Sequence, residues 1–297
     1  MTSREKELSS LPQHSDPPQT QMSELVERVI YPFQHGEPPE PQAAHGFFTD
    51  TTVCIGCKAC EVACKQWNQL PSDGFNFSGN SYDNTTELSA TTWRHVKFIE
   101  QFSPDSSGDQ DQNRWLMQSD HCKHCVAAPC HQACPTGAIV YNEFGNVYIQ
   151  ADICNGCSSC IAACPFGVIT RSSMGGHSHK CTLCYDRQRD GLVPACAKAC
   201  PTESIQFGPI DELRERARKR VEELAQRGVS QAYLYGDAAT GTYSEMHSFY
   251  LLLDRPAVYG LPDNPYNPWL QMFGDYGRSV AGGLAAIVVL LAVVLLS

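Results

Sequence analysis

The chain has 297 residues, and all 16 of its cysteines fall between Cys54 and Cys200. That density excludes an ordinary globular domain with incidental thiols. With 32 acidic against 22 basic residues the net charge is −10 at pH 7, which argues against nucleic acid as a partner, because a phosphate backbone needs a basic face.

In chain order, residues 1–46 are polar and proline-rich, with no sustained apolar period and no secretory signal. They read as a tail that lies on a surface or stays mobile. Residues 47–209 hold every cysteine. Within them, 65–120 form an insertion with Gly/Asn/Ser-rich turns and a strand predicted near Trp93 to Phe102. Ala138 to Ile149 reads as a hairpin turning at Gly145-Asn146. Residues 210–262 are predicted as a helix plus a strand. The helix runs from Asp211 to Arg227, with Leu213, Ala217, Val221 and Leu224 on one face and Gly228 as its stop. The strand begins at Ser248. Residues 263–278 are a linker. Residues 279–297 read as one transmembrane helix, since Val280 to Leu296 carries no charge. As a helix that run reaches about 25 Å, against a hydrocarbon core of about 30 Å. Arg278 alone flanks it, which by the positive-inside rule points the cysteine-rich part toward the cytoplasm.

The cysteines form four groups: Cys54, Cys57, Cys60 and Cys64; Cys122, Cys125, Cys130 and Cys134; Cys154, Cys157, Cys160 and Cys164; and Cys181, Cys184, Cys196 and Cys200. A hexapeptide recurs at the end of three of them: Cys134-Pro-Thr-Gly-Ala-Ile139, Cys164-Pro-Phe-Gly-Val-Ile169 and Cys200-Pro-Thr-Glu-Ser-Ile205. In the first group Lys65 replaces the proline. The first and third groups are C-x2-C-x2-C-x3-C. Three thiolates at two-residue gaps can wrap one iron–sulfur cubane from a single loop. The fourth, expected at the start of the following helix, points away and in two-cluster ferredoxins ligates the other cluster. Gly56 and Gly156 suit the close backbone approach inside such loops. The second and fourth groups widen one gap but keep both ends of the pattern. Sixteen thiolates therefore make four [4Fe–4S] clusters with none left over. Zinc sites use separated C-x2-C pairs instead, and disulfides suit secreted scaffolds.

Four such clusters add negative charge, which Lys58, Lys123, Lys180 and Lys198 can offset. Lys180, beside Cys181, is the first candidate for tuning a cluster potential. A solvated surface lysine is the competing reading. His121, His124, His131, His177 and His179 are expected around the clusters or on the surface, not as ligands. No G-x-S-x-G, P-loop or G-x-G-x-x-G motif is present, so no catalytic constellation is read here.

Several segments carry a family resemblance: Cys54-Ile-Gly-Cys-Lys-Ala-Cys60 with Trp67-Asn68, Tyr82-Asp-Asn84 through Leu88-Ser-Ala90 to Trp93, Lys180-Cys-Thr-Leu-Cys184, Pro194-Ala-Cys196, Cys200-Pro-Thr202 and Gly260-Leu-Pro262. With the C-terminal apolar run, they make residues 48–297 resemble the iron–sulfur beta subunits of molybdopterin oxidoreductases, and most of all those of membrane-bound respiratory formate dehydrogenases. The resemblance implies an α+β fold of two ferredoxin-like dicluster units, followed by the transmembrane helix. It implies that the first and fourth groups build one unit and the second and third the other. It also implies a non-catalytic electron-transfer subunit. Electrons would enter from a molybdopterin-containing catalytic alpha subunit and leave to a cytochrome b-type gamma subunit in the inner membrane, with the globular part periplasmic. That location conflicts with the lone Arg278. The alternative is a beta subunit of a nickel–iron hydrogenase, polysulfide reductase or nitrate reductase.

Overall fold

The computed structural model describes residues 43–75, 79, 82–83, 85–102, 113–173, 175–237, 245–268 and 276–287. Its elements in chain order are β1 (His45–Asp50), α1 (Ala59–Trp67), β2 (Arg94–Gln101), β3 (Arg114–His121), α2 (Pro129–Gln132), β4 (Ile139–Tyr141), β5 (Val147–Ile149), α3 (Ser159–Ala163), β6 (Thr170–Arg171), β7 (Ser178–His179), α4 (Tyr185–Arg189), α5 (Ala195–Lys198), β8 (Ile205–Pro209), α6 (Ile210–Gln226), β9 (Tyr233–Tyr235) and β10 (Ser248–Leu252).

Four strands form one sheet in the order β8-β1-β10-β9, with β1 and β10 parallel and the outer pairs antiparallel. Side chains of a strand alternate between faces, and β1 and β10 use both. Phe48, Phe249 and Leu251 pack on one face against Ile210, Leu213, Ala217 and Leu224 of α6. Phe47 faces the other way, among Cys60, Cys196, Val96 and Leu183, and Tyr250 and Leu252 join a third apolar cluster with Cys122, Cys130 and Ile169. Every residue of β10 is buried, as expected of a strand covered on both faces. Each fully buried Phe or Leu contributes roughly 1.5–3 kcal/mol. The predicted helix face is the one that packs, with Val221 partly buried at its margin. The chain turns out of α6 at Gly228, whose φ is +87°.

The parallel pairing of β1 with β10 is tight. Phe47 N–H donates to the His247 carbonyl at 2.7 Å, and a Cβ on Gly46 would stand 1.8 Å from that same oxygen. Gly46→Ala is expected to destabilise the chain by about 3 kcal/mol, the upper end for overpacking, read as a shortened half-life of the loaded chain in denaturant. An unchanged half-life would show that β1 can move away from β10.

Most predicted elements lie where the pattern put them. The strand near Trp93 is β2, paired along its full length with β3, and the 138–149 hairpin is β4–β5 with its turn at Gly145. One boundary is corrected. Composition extends the tail to residue 46, but β1 starts at His45, where pairing with Pro209 begins. Residues 1–42 lie outside the described residues. So do residues 288–297, much of the predicted membrane helix. Residues 276–287 are helical, with Val280, Leu284 and Ile287 exposed. Among the described residues no helix is long and apolar enough to cross a membrane.

Candidate iron–sulfur sites

The sixteen thiols gather in four quartets, and each quartet draws on two sequence groups. Quartet I is Cys54, Cys57, Cys60 and Cys200, lining a cavity of about 300 Å³ with Ser204 and Ser119. Quartet III is Cys122, Cys125, Cys130 and Cys164, around about 310 Å³. Quartet IV is Cys134, Cys154, Cys157 and Cys160, around about 270 Å³. In quartet II, Cys64 interacts electrostatically with Cys181, Cys184 and Cys196.

The exchange of the fourth cysteine has a mechanical cause. Helix α1 carries Cys60 of quartet I and Cys64 of quartet II, and it packs against α5, which carries Cys196 of II and runs out toward Cys200 of I. Helices α2 and α3 repeat this: α2 carries Cys130 of III and leads to Cys134 of IV, while α3 carries Cys160 of IV and ends at Cys164 of III. The first and fourth groups are drawn together across the chain by the antiparallel β1–β8 ladder, in register Thr49↔Ile205. Ser204 extends it: its carbonyl accepts from Asp50 N–H at 2.8 Å, and its hydroxyl donates to the Asp50 carbonyl at 2.7 Å. The fold thus brings the first group beside the fourth and the second beside the third.

One detail differs from expectation. The fourth cysteine does not start the next helix. In three groups it follows a helix of four or five residues, because the proline after it cannot continue the turn. In the first group Lys65 stands in that place and α1 continues for nine residues, keeping Cys64 inside it.

The quartets form a line. Cys60 of I interacts with Cys196 of II, Cys181 of II with Cys122 of III, and III and IV share α2 and α3. All thiols of II are buried, and the ends reach the surface at Cys57 of I and Cys157 of IV.

Each loop turns inward by the same backbone device. The residue before the second cysteine has positive φ in all four groups: Gly56 (65°), His124 (45°), Gly156 (70°) and Leu183 (57°). Two glycines were visible in the sequence. His124 and Leu183 were not, because nothing in a His or Leu signals a left-handed backbone; each costs on the order of 1–3 kcal/mol of strain held by its surroundings. At Gly156 a Cβ would stand 2.1 Å from the Gly176 carbonyl oxygen. Gly156→Ala is expected to empty quartet IV alone, removing about four irons of sixteen with the other three cluster signals intact in EPR. Full iron content in that variant would refute the tight fit.

Hydroxyls stand beside the outer sulfurs. Thr136 lies 3.6 Å from Cys134 Sγ, Thr202 3.8 Å from Cys200 Sγ and Ser159 3.4 Å from Cys157 Sγ. The threonines of the repeated Cys-Pro-Thr thus serve the two end quartets. The repeat at Cys164 has Phe166 instead, next to quartet III. Charged groups sit deeper in. Lys180 is buried, donating to the Val147 carbonyl and, at 3.1 Å, to that of Cys181, so the surface reading fails for it. Lys123 is buried too, paired with Asp120 and lying over the Phe166 and Tyr250 rings. Lys58 is half-buried beside Glu61 and Asp83, and Lys198 is exposed. His121, His124 and His131 are buried, and His177 Nδ1 donates to the Cys154 carbonyl at 2.7 Å. The Tyr82 to Trp93 segment packs its own aromatics: Tyr82 against Phe98 and Trp115, and Trp93 over His179. Sequence reasoning missed Arg94, Ser119 and Asp120, which sit on the paired strands β2 and β3 without any motif.

Burial pushes the thiols of Cys60 and Cys181 up to about 12 and that of Cys184 up to about 11. Without metal these groups are neutral, so loading a quartet must displace protons. A mononuclear zinc site would hold sulfurs about 3.8 Å apart, from a Zn–S bond near 2.3 Å. Among the described residues no three His, Cys, Asp or Glu side chains are grouped to hold a metal ion. Four thiols lining one common space, as in quartets I, III and IV, suit a four-iron cluster with one thiolate per iron.

Four thiol quartets on an α+β frame define a four-cluster, ferredoxin-like iron–sulfur protein. Residues 53–138 and 113–210 each match a 4Fe-4S dicluster domain family. The chain is 40% identical over 240 residues to the formate dehydrogenase-O iron-sulfur subunit of Escherichia coli, covering 78% of this chain and 77% of that one. It is 37% identical over 264 residues to the formate dehydrogenase iron-sulfur subunit of Haemophilus influenzae, covering 84% and 82%. To the B subunit of the anaerobic dimethyl sulfoxide reductase of Escherichia coli it is 36% identical over 173 residues, covering 58% and 77%. The chain belongs to the family of formate dehydrogenase iron–sulfur subunits, within the beta subunits of the molybdopterin oxidoreductases. It is an electron-transfer subunit with four [4Fe–4S] clusters, and not the catalytic one.

Proposed function

We propose that this chain conducts electrons from a molybdopterin-containing, formate-oxidising catalytic subunit to a cytochrome b-type subunit in the membrane. The observation that carries it is the line of four quartets with exposed thiols at its two ends, Cys57 and Cys157. Quartets I to IV, as composed above, would be the cluster ligands. Each bound cluster supplies a one-electron carrier. The chain's own residues supply the rest. Helices α1, α2, α3 and α5 each tie two neighbouring quartets together, so their spacing is fixed. Burial of quartet II excludes water from the middle of the line. Exposed Ile55 and Val62 beside quartet I suit docking of the catalytic subunit, and entry there leaves quartet IV as the exit.

Residues 279–297 would anchor the chain in the inner membrane, with the globular part periplasmic. The exposed apolar row Val280, Leu284 and Ile287, spaced as one helix face, supports burial of this segment in lipid or in a membrane partner. Formate as donor is favoured because the formate dehydrogenase relatives cover 78% and 84% of the chain, against 58% for the dimethyl sulfoxide reductase subunit. The test is purification of the membrane complex and addition of formate under anaerobic conditions. Reduction of all four clusters in EPR is the expected result. A complex whose clusters stay oxidised with formate but are reduced by hydrogen would assign the chain to a hydrogenase instead.

A further inference from the structure

Arg94 opens β2 and is 2% exposed. Its Nη1 donates to Ser119 Oγ at 3.0 Å, and Ser119 Oγ lies 3.3 Å from Cys60 Sγ. The guanidinium sits 4.9 Å above the Phe47 ring, and Nη2 is buried with no hydrogen-bond partner. Among the described residues no carboxylate pairs with it. The nearby buried carboxylate, Asp120, is taken by Lys123 and Lys97.

An arginine side chain stays charged in a protein, and a buried charge without a counter-charge costs several kcal/mol. The groups that answer this charge are sulfurs. Burial works against the guanidinium, yet Cys196, Cys60, Cys181 and Cys64, taken as thiolates, more than offset it and hold its pKa above the ordinary arginine value. Cys60 belongs to quartet I and the other three to quartet II.

We infer that Arg94 is a fixed counter-charge shared by the clusters of quartets I and II, raising the reduction potentials of both together. The inference rests on the cluster reading above. A [4Fe–4S] cluster with four thiolates is already negative, and adding one electron deepens that charge. A cation held nearby in low dielectric therefore favours the reduced form. Quartets III and IV lie further along the line, and the four thiols that act most strongly on Arg94 all belong to quartets I and II.

The test uses the purified membrane complex with Arg94→Gln and Arg94→Lys, iron analysis, and EPR-monitored redox titration, with signals assigned through Cys54→Ser and Cys184→Ser. In R94Q the reduction equilibrium constants of both first-unit clusters are expected to fall about tenfold, or 59 mV for one electron. R94K should fall less, and the other two clusters should not move. If R94Q loses the irons of quartets I and II while R94K keeps them, the charge is required even for assembly, which supports the inference. Unchanged potentials in R94Q, an equal shift at all four clusters, or R94K behaving like R94Q would overturn it. Fewer than sixteen irons in the wild-type complex would instead sink the underlying cluster reading.

Discussion

Cys164→Ser is expected to damage the cluster held by Cys122, Cys125 and Cys130, and to leave the one held by Cys154, Cys157 and Cys160 intact. By sequence Cys164 closes the third group, four residues after Cys160. In space it lines the cavity of quartet III, while Cys134 of the second group completes quartet IV. The expected loss is about four irons of sixteen, with one EPR signal missing or altered. Cys64→Ser is the matching variant in the other unit: it should affect the cluster of Cys181, Cys184 and Cys196 and spare that of Cys54, Cys57 and Cys60. Assignment needs reference variants at Cys125 and Cys157. If Cys164→Ser and Cys157→Ser remove the same signal, the cysteines do not cross between groups.

The second large effect is on stability. Asp120 is buried where β3, β2 and β10 meet. It accepts from Lys123, from Lys97 at 2.9 Å, from the Tyr250 hydroxyl at 3.2 Å and from the His121 backbone N–H at 2.8 Å. Burial opposes its ionisation, and Lys123 and Lys97 overcome that, holding the carboxyl well below its ordinary range. Asp120→Asn leaves the fully buried ammonium of Lys123 without its counter-charge. Breaking a buried pair from one side costs about 3–5 kcal/mol. Unfolding that releases iron is irreversible, so the suitable measure is the half-life of the loaded chain in denaturant. A shortening of tenfold or more is expected. Asp120→Asn combined with Lys123→Met should recover part of the loss, because the stranded charge is gone. A half-life unchanged in Asp120→Asn would mean that the pair is neutral to the fold.

Local chemistry was legible in the sequence and long-range assembly was not. The cysteine groups, the β4–β5 hairpin and α6 each carry their signal within about twenty residues: ligand spacing, a Gly-Asn turn, an apolar face of helical period. The joining of the first group to the fourth depends on β1 meeting β8, far apart in the chain, and neither strand announces its partner. It came from the resemblance. The left-handed backbone at His124 and Leu183 was hidden because the loop, and not the residue, imposes it. Buried charges were hidden for a related reason. Arg94, Asp120 and Lys180 look like any surface residue until the fold encloses them; the buried cations are answered by anionic clusters, and Asp120 by Lys123 and Lys97. Of the predicted membrane helix, residues 279–287 are helical and residues 288–297 lie outside the described residues.

Iron and acid-labile sulfide per chain, measured on anaerobically purified and fully reconstituted protein, test the central claim most directly. Sixteen of each, from four four-iron clusters, is the expected result. Four zinc atoms with no sulfide, or an iron content that stays near eight, would contradict it.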